Sequence, residues 1–261
     1  MTAAAWIVQP VSAMFRFGLV CVLAALPLAT AAAAGPATIE VGDSARPLEV
    51  TLPAGRGPAP LAVLVHGWGV GPEDYRSHAR ELNAQGFATA LFRAPSKWEL
   101  DPHAWRDALM SDLDAVEAAA APGGPLARVD VGRIGLIGHS LGGGTVVTTA
   151  AADPRVGAVV AYAPGTALQF RRRLLREARA ITAPTLILSG GLDGIAPHGM
   201  FAGPLRRVIP GARGKLLPFG THLDFSDRKA PFATPGAHDR QHARVMRETT
   251  QFLQRTLGAR R

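Results

Sequence analysis

The 261-residue sequence holds a single cysteine, Cys21. It lies in an N-terminal stretch read below as a removable leader, so the remaining chain has no thiol to pair and its stability must come from its core. Aromatic residues make up only 6% of the chain. No aromatic platform or recognised binding motif accompanies the basic runs, which argues against nucleic acid as a partner. A membrane-spanning helix needs about 20 unbroken apolar residues. The nearest approach, L-V-C-V-L-A-A-L-P-L-A-T-A-A-A-A at 19–34, is shorter than that and ends in small residues, so stable membrane insertion is not expected. No internal repeat or low-complexity region follows it, which leaves a single domain as the simplest plan for a chain of this length.

What is present at the N-terminus has the make-up of a secretory signal, an apolar run leading into an A-x-A cleavage site. Residues 1–34 are therefore expected to be removed, leaving a mature domain at 35–261 and a secreted or periplasmic protein. Translation from Met14 would give a compact charged start, M-F-R-F, ahead of the apolar run. Lipid attachment at Cys21 is disfavoured by the bulky Val20 before it. The chain carries 28 Lys+Arg against 20 Asp+Glu, a net charge of +8. Removing the leader takes away Arg16 alone, so 27 less 20 leaves +7. The excess gathers in R-R-R-L-L-R-E-A-R (171–179) and at the C-terminus, and reads as solvated helix surface.

Short apolar runs alternate with longer helical patterns, the signature of a parallel sheet built from β-α units. The runs are at 61–65, 88–92, 134–137, 156–162, 185–189 and 215–217. Their hydrophobicity is continuous, as in strands covered on both faces. Ahead of them A-T-I-E-V (37–41) and L-E-V-T-L (48–52) alternate instead, which predicts an antiparallel hairpin at one edge. Helices are expected over 73–85, 102–121, 141–152, 170–180, 198–208 and 237–257.

The densest signal is G-H-S-L-G-G-G at 138–144, placed between the apolar run R-I-G-L-I and a small-residue helical run. In G-x-S-x-G the serine occupies a strained strand-to-helix turn, and the glycines at 138 and 142 leave room for close packing. The turn thrusts Ser140 out above the sheet as a nucleophile and aims the amide of Leu141 at the same spot, where a helix N-terminus adds positive potential. A serine needs a base, and His222, in P-F-G-T-H-L-D-F after the last apolar run, is the best placed of the eight histidines. The base needs an acid to fix its tautomer, and Asp193, in S-G-G-L-D-G-I-A-P, supplies it in the chain order Ser, Asp, His. Asp224 and Asp227 are rival acids, read as capping or loop residues. The loop H-G-W-G-V-G (66–71) is expected to give the second oxyanion donor, the amide of Trp68, while His66 braces that loop. His139 is read as packing, and His78, His103, His198, His238 and His242 as solvated.

Taken together, V-L-V-H-G-W-G, G-F-A-T-A-L-F-R-A-P, R-I-G-L-I-G-H-S-L-G-G-G, P-T-L-I-L-S-G-G-L-D-G-I-A-P and G-T-H-L-D-F resemble the α/β-hydrolase superfamily over the whole mature chain. They are most similar to its small branch of dienelactone-hydrolase-like, chlorophyllase-like and cutinase-like polyester-hydrolysing proteins. The resemblance implies an eight-stranded, mostly parallel sheet with its second strand antiparallel, helices on both faces, and ester hydrolysis through an acyl-enzyme. Dienelactone hydrolases use cysteine where Ser140 stands, and cutinase-like proteins often carry a disulfide that this chain cannot form. Only about twenty residues separate the runs ending near Pro164 and starting at Thr185, so any cap is minimal and the site open. No metal or organic cofactor is called for, and the partner is a small-molecule or polymeric ester. Trp68 and Trp98, with Trp105 and Phe92, are candidates for an apolar wall against that substrate. Acyl transfer or thioester cleavage on the same triad, and a non-catalytic binding protein of the same fold, are the alternatives.

Overall fold

The apolar runs build one sheet of eight strands, and its two faces decide where every helix goes. A computed structural model describes residues 37–96, 98–229 and 236–258. The expected leader at 1–34, with Cys21 and the alternative start Met14, lies outside them. The strands are β1 (Ala37–Val41), β2 (Leu48–Leu52), β3 (Ala59–Val65), β4 (Ala88–Phe92), β5 (Val129–His139), β6 (Val156–Tyr162), β7 (Thr185–Gly190) and β8 (Arg213–Leu217), in the order β1-β2-β4-β3-β5-β6-β7-β8. β2 runs antiparallel to both β1 and β4, and every pairing from β4 to β8 is parallel. The edge hairpin is as the alternation at 37–52 predicts, and the antiparallel second strand is as the family resemblance implies.

The helices are α1 (Arg76–Ala84), α2 (Pro102–Ala119), α3 (Leu141–Ala152), α4 (Leu168–Glu177), α5 (Ala202–Val208) and α6 (Ala237–Leu257). One core joins the sheet to α2, α3, α4 and α5 through Trp105, Leu109, Val146, Leu174 and Leu205. A second core, on the opposite face, joins it to α1 and α6 through Leu82, Val245, Phe252 and Leu253. Burial on both faces explains why β3, β4 and β7 are buried at every position. A fully buried Leu or Val contributes about 1.5–3 kcal/mol, so these two layers hold the fold without any covalent bridge. α2 starts where it does because Pro102 fits the first turn and the Asp101 carboxylate accepts the His103 amide at 2.9 Å.

Four expected helices have different bounds, α2 by ending at Ala119 rather than at 121. The segment predicted as helix from 73 begins as a 3₁₀ turn at Pro72–Tyr75 before α1. The one predicted at 170–180 begins earlier, at Leu168, and its tail at Ala178–Ala180 is 3₁₀. The one predicted from 198 begins only at Ala202, because His198 turns its ring to bond the Ser189 hydroxyl at 2.7 Å and Phe201 is drawn into the sheet's second core. Between β6 and β7 the only α-helix is α4, so the site is not roofed by an inserted helical cap.

The sheet reverses direction around β3. The chain steps from β3 outward to β4, then crosses back to place β5 on the other side of β3. Such a switch point opens a crevice beyond the carboxyl ends of the two central strands. The loops leaving β3 and β5 both arrive there, with Val65 level with Gly138.

Candidate active site

At the end of β5 the backbone of Ser140 takes φ 55° and ψ −118° before α3 begins at Leu141. A side-chain-bearing residue in this region costs about 1–3 kcal/mol and persists only where its surroundings enforce it. The enforcement is visible. The Ser140 amide donates to Tyr162 O at 2.9 Å, and its carbonyl accepts from Gly144 and Gly165 at 3.1 and 2.9 Å. A Cβ at Gly138 would stand 2.1 Å from Gly142 O, and one at Gly142 2.4 Å from both Val65 O and His66 O. The strand-turn-helix therefore closes only on glycine at these points. Ala163, at the end of β6, also adopts a positive φ, 38°, and its neighbours Tyr162 and Gly165 hold Ser140. No sequence pattern marked it.

His222 opens a 3₁₀ turn, His222–Phe225, in the loop between β8 and α6. Its Nδ1–H donates to Asp193 Oδ2 at 2.8 Å, and Asp193 Oδ1 accepts the amides of Ile195 and Ala196 at 2.9 and 2.8 Å. Both side chains are buried. The two loops are joined by Gly191 N–H to Leu217 O and Leu192 N–H to Gly220 O, at 2.8 and 2.9 Å. The His222 ring lies 4.6 Å, centre to centre, from that of His139, the residue before Ser140. The structure thus brings Asp193 and His222 into direct contact and sets them beside the serine turn. Among the described residues the Ser140 hydroxyl makes no hydrogen bond.

The Asp224 carboxylate is engaged elsewhere than with His222. Its Oδ2 accepts from the Thr221 amide and hydroxyl at 2.7 and 3.0 Å, capping the turn that carries His222, and its Oδ1 accepts from His238 Nδ1 at 3.0 Å. Asp227 binds the Ser77 amide and hydroxyl.

Across the crevice, the loop after β3 is pinned by His66. Its Nδ1–H donates to Gly67 O at 2.7 Å and its Nε2 accepts the Ala94 amide at 3.1 Å. Burial lowers its pKa, so the neutral ring serves as a brace. The Trp68 amide is free of protein acceptors among the described residues, and Leu141 is the first residue of α3, where amides lack intrahelical partners. A cavity of about 520 Å³ runs beside this loop, lined by His66, Trp68, Glu73, Arg93, Ser96 and Trp105.

Tyr75, to which the sequence assigned no role, ties the two sides together. Its hydroxyl accepts the Gly67 amide at 3.3 Å and donates to His139 Nδ1 at 2.5 Å. Burial, then the neighbouring His222, holds the His139 pKa well below the usual imidazole value, and burial raises that of the Tyr75 phenol. Both stay neutral, so this is a hydrogen bond between two uncharged groups.

Two groups of side chains differ from expectation. Phe92 and Trp105 are fully buried in the core, although Trp105 also forms part of the wall of the cavity beside the β3 loop, whereas Trp68 is 50% and Trp98 75% exposed. The histidines expected in solvent are engaged instead. His78, His103 and His238 are buried, His103 between Asp101 and Glu177, and His198 and His242 are half-buried. They sit on the inward faces of their elements, which the local sequence around each did not reveal.

A sheet of this order, with a serine in a strained turn after its fifth strand and an Asp-His pair on the loops after its seventh and eighth, is the α/β-hydrolase fold. Within it the chain belongs to the PET hydrolase-like family, whose sequence model matches residues 57–221. That places it with the cutinase-like polyesterases among the branches it resembled. Relatives include cutinase est1 of Thermobifida alba, 34% identical over 88 residues, which are 34% of this chain and 27% of that protein. Bis(hydroxyethyl) terephthalate hydrolase of Streptomyces coelicolor is 29% identical over 130 residues, 49% and 38% of the two chains. The quorum-quenching protein AidA of Acinetobacter baumannii is 35% identical over 111 residues, 41% and 36%. In each case the match spans well under half of the relative's length.

Proposed function

We propose that the protein is an exported serine hydrolase that cleaves carboxylic esters through an acyl-enzyme. Ser140 Oγ attacks the ester carbonyl, and His222 Nε2 takes its proton and returns it to the departing alcohol. Asp193 holds His222 in the tautomer with Nδ1–H donating, and stabilises the imidazolium as it forms. The amides of Trp68 and Leu141 receive the negative charge that develops on the carbonyl oxygen. Water then enters and is activated by His222 to release the acid. Ser140, Asp193 and His222 suffice for this cycle, with no metal or organic cofactor taking part.

The observation that carries the reading is the buried Asp193–His222 bond at 2.8 Å beside a serine held at φ 55°. Strain of this kind is retained where a fold enforces it for use. The lack of an inserted cap leaves the crevice open to water, which favours hydrolysis over transfer to another acceptor. Trp68 and Trp98, exposed on the loops after β3 and β4, offer apolar contact to a bulky acyl or alcohol group. Esters of the kinds named in the relatives, cutin and bis(hydroxyethyl) terephthalate, are the first to try. Residues 1–34 direct export and are then removed.

The test is a chain-length series of p-nitrophenyl esters together with bis(hydroxyethyl) terephthalate, on wild type and Ser140→Ala. Ester turnover and labelling by a fluorophosphonate, both lost in Ser140→Ala, are expected. A folded wild type that does neither overturns the proposal.

A further inference from the structure

Behind the candidate active site, on the α1–α6 face of the sheet, three donor side chains from separate segments converge. His78 comes from α1, Asp227 from the loop after the His222 turn, and His242 from α6. Nδ1 of His78 and Nε2 of His242 each lie 3.8 Å from Asp227 Oδ1, and one ligand atom from each residue falls within 4.8 Å of the others. The two imidazole rings meet edge to face at 4.6 Å.

The polar accounting around them does not close. His78 is 0% exposed, yet neither of its ring nitrogens has a hydrogen-bond partner, and Nδ1 of His242 is buried without one. Such groups are rare because each costs about 1–3 kcal/mol, and an ion or ordered water is a usual explanation. Burial keeps both imidazoles neutral, lowering the pKa of His78 and taking that of His242 down to about 4. Asp227 is also partly buried, but the nearby His78 ring and the hydrogen bonds from the Ser77 hydroxyl and amide outweigh that and lower its pKa to about 2. At neutral pH the cluster is thus two neutral imidazoles and a carboxylate.

We propose that His78, Asp227 and His242 bind a first-row divalent cation, for which zinc is the best fit. Two imidazoles and one carboxylate are a characteristic donor set for that ion. Bonds of about 2.0–2.2 Å in tetrahedral geometry set donors roughly 3.3–3.6 Å apart, so the two 3.8 Å pairs to Asp227 need to draw in by about half an ångström at most, and the two imidazole donors, within 4.8 Å of each other, by up to about 1.5 Å. The Ser77 hydroxyl now bridges Asp227 Oδ1 and His242 Nε2. The cation replaces that bridge, each imidazole ligating through one nitrogen and keeping its proton on the other. Beyond Ser77 and His242 opens a cavity of about 490 Å³, with Glu81 and Arg247 in its wall, which provides an entry path and room for a water as fourth ligand.

The consequence falls on the base. Asp227 is five residues beyond His222 on the same loop, and its amide already donates to Asp74 O at 2.7 Å. A cation there staples that loop to α1 and α6 at once, and so stabilises the fold around His222 without touching substrate. This inference is independent of the ester-hydrolase reading, because its measurement is binding rather than turnover.

The protein, stripped with chelator and dialysed, is titrated with zinc chloride by calorimetry and with cobalt chloride by visible absorption, and melted with and without zinc. One equivalent is expected to bind, cobalt to show the intense visible bands of a four-coordinate site, and Tm to rise by about 5 °C or more at a hundredfold excess over Kd. His242→Gln and Asp227→Asn, at half-buried positions that tolerate change better than His78, are each expected to weaken binding at least tenfold. His222→Ala controls for capture by the active-site imidazole and is expected to bind undiminished. No binding of zinc or cobalt by the folded wild type overturns the proposal. So does binding that survives both His242→Gln and Asp227→Asn, or that disappears in His222→Ala.

Discussion

Tyr75→Phe deletes one oxygen that joins two separately folded pieces of the site. The ring that remains still packs against His78 and His139, so the perturbation is confined to two hydrogen bonds, from the Gly67 amide at 3.3 Å and to His139 Nδ1 at 2.5 Å. Tyr75 is 2% exposed and His139 equally buried, and water cannot readily replace the lost hydroxyl. Each unpartnered buried polar group costs about 1–3 kcal/mol. The Gly67 bond is long and its loss weighs less, which puts the sum at about 2–4 kcal/mol. For a domain of this size that lowers Tm by about 4–16 °C and leaves it folded, since native margins are about 5–15 kcal/mol. The effect on rate has a different origin. Gly67 precedes Trp68, so cutting the tether loosens the proposed oxyanion amide. Deleting one such donor costs about 10²–10³ in kcat, and loosening it is expected to cost about tenfold with KM within twofold. Urea unfolding and p-nitrophenyl ester kinetics on the same preparation read both quantities. A variant as stable as wild type refutes the hydrogen-bond reasoning, and a destabilised one with unchanged kcat refutes the role assigned to the loop.

Other outcomes follow from the same geometry. Asp193→Asn is expected to lower kcat by about 10⁴ at neutral pH with little change in KM, because the amide no longer holds His222 in the productive tautomer; steady-state kinetics checks it. Gly142→Ala places a methyl 2.4 Å from two carbonyl oxygens and should cost about 4 kcal/mol or more, seen as loss of the cooperative thermal transition. For the metal-free protein, burial and then the neighbouring His78 bring the His242 pKa from 6.5 to about 4. Between those values the unfolded chain binds the proton and the folded chain does not, so stability is full above about pH 6.5 and declines toward pH 4. Urea midpoints across that range are expected to fall for wild type and to fall less steeply for His242→Gln.

The parts of this molecule that were legible in its sequence are those whose cause is local. A strand covered on both faces announces itself as a continuous apolar run, and β3, β4 and β7 are buried at every residue as those runs require. The serine turn is legible because steric closure permits only glycine at 138 and 142, a demand written within five residues. Asp193 and His222 could be placed from the loops that carry them, since the chain order of strands dictates which loops reach the crevice. What escaped is whatever depends on which helix face turns inward. His78 and His242 stand in polar surroundings in the sequence, R-S-H-A-R and R-Q-H-A-R, and read as solvent-facing, yet α1 and α6 rotate them into the second core, where they meet Asp227 and each other. Tyr75 escaped for the same reason, its partners Gly67 and His139 lying on other elements. A site of this kind is thus written twice. Motifs place its reacting groups, while the side chains that hold those groups in position come from distant segments and take their roles only when the sheet brings α1 and α6 together behind it.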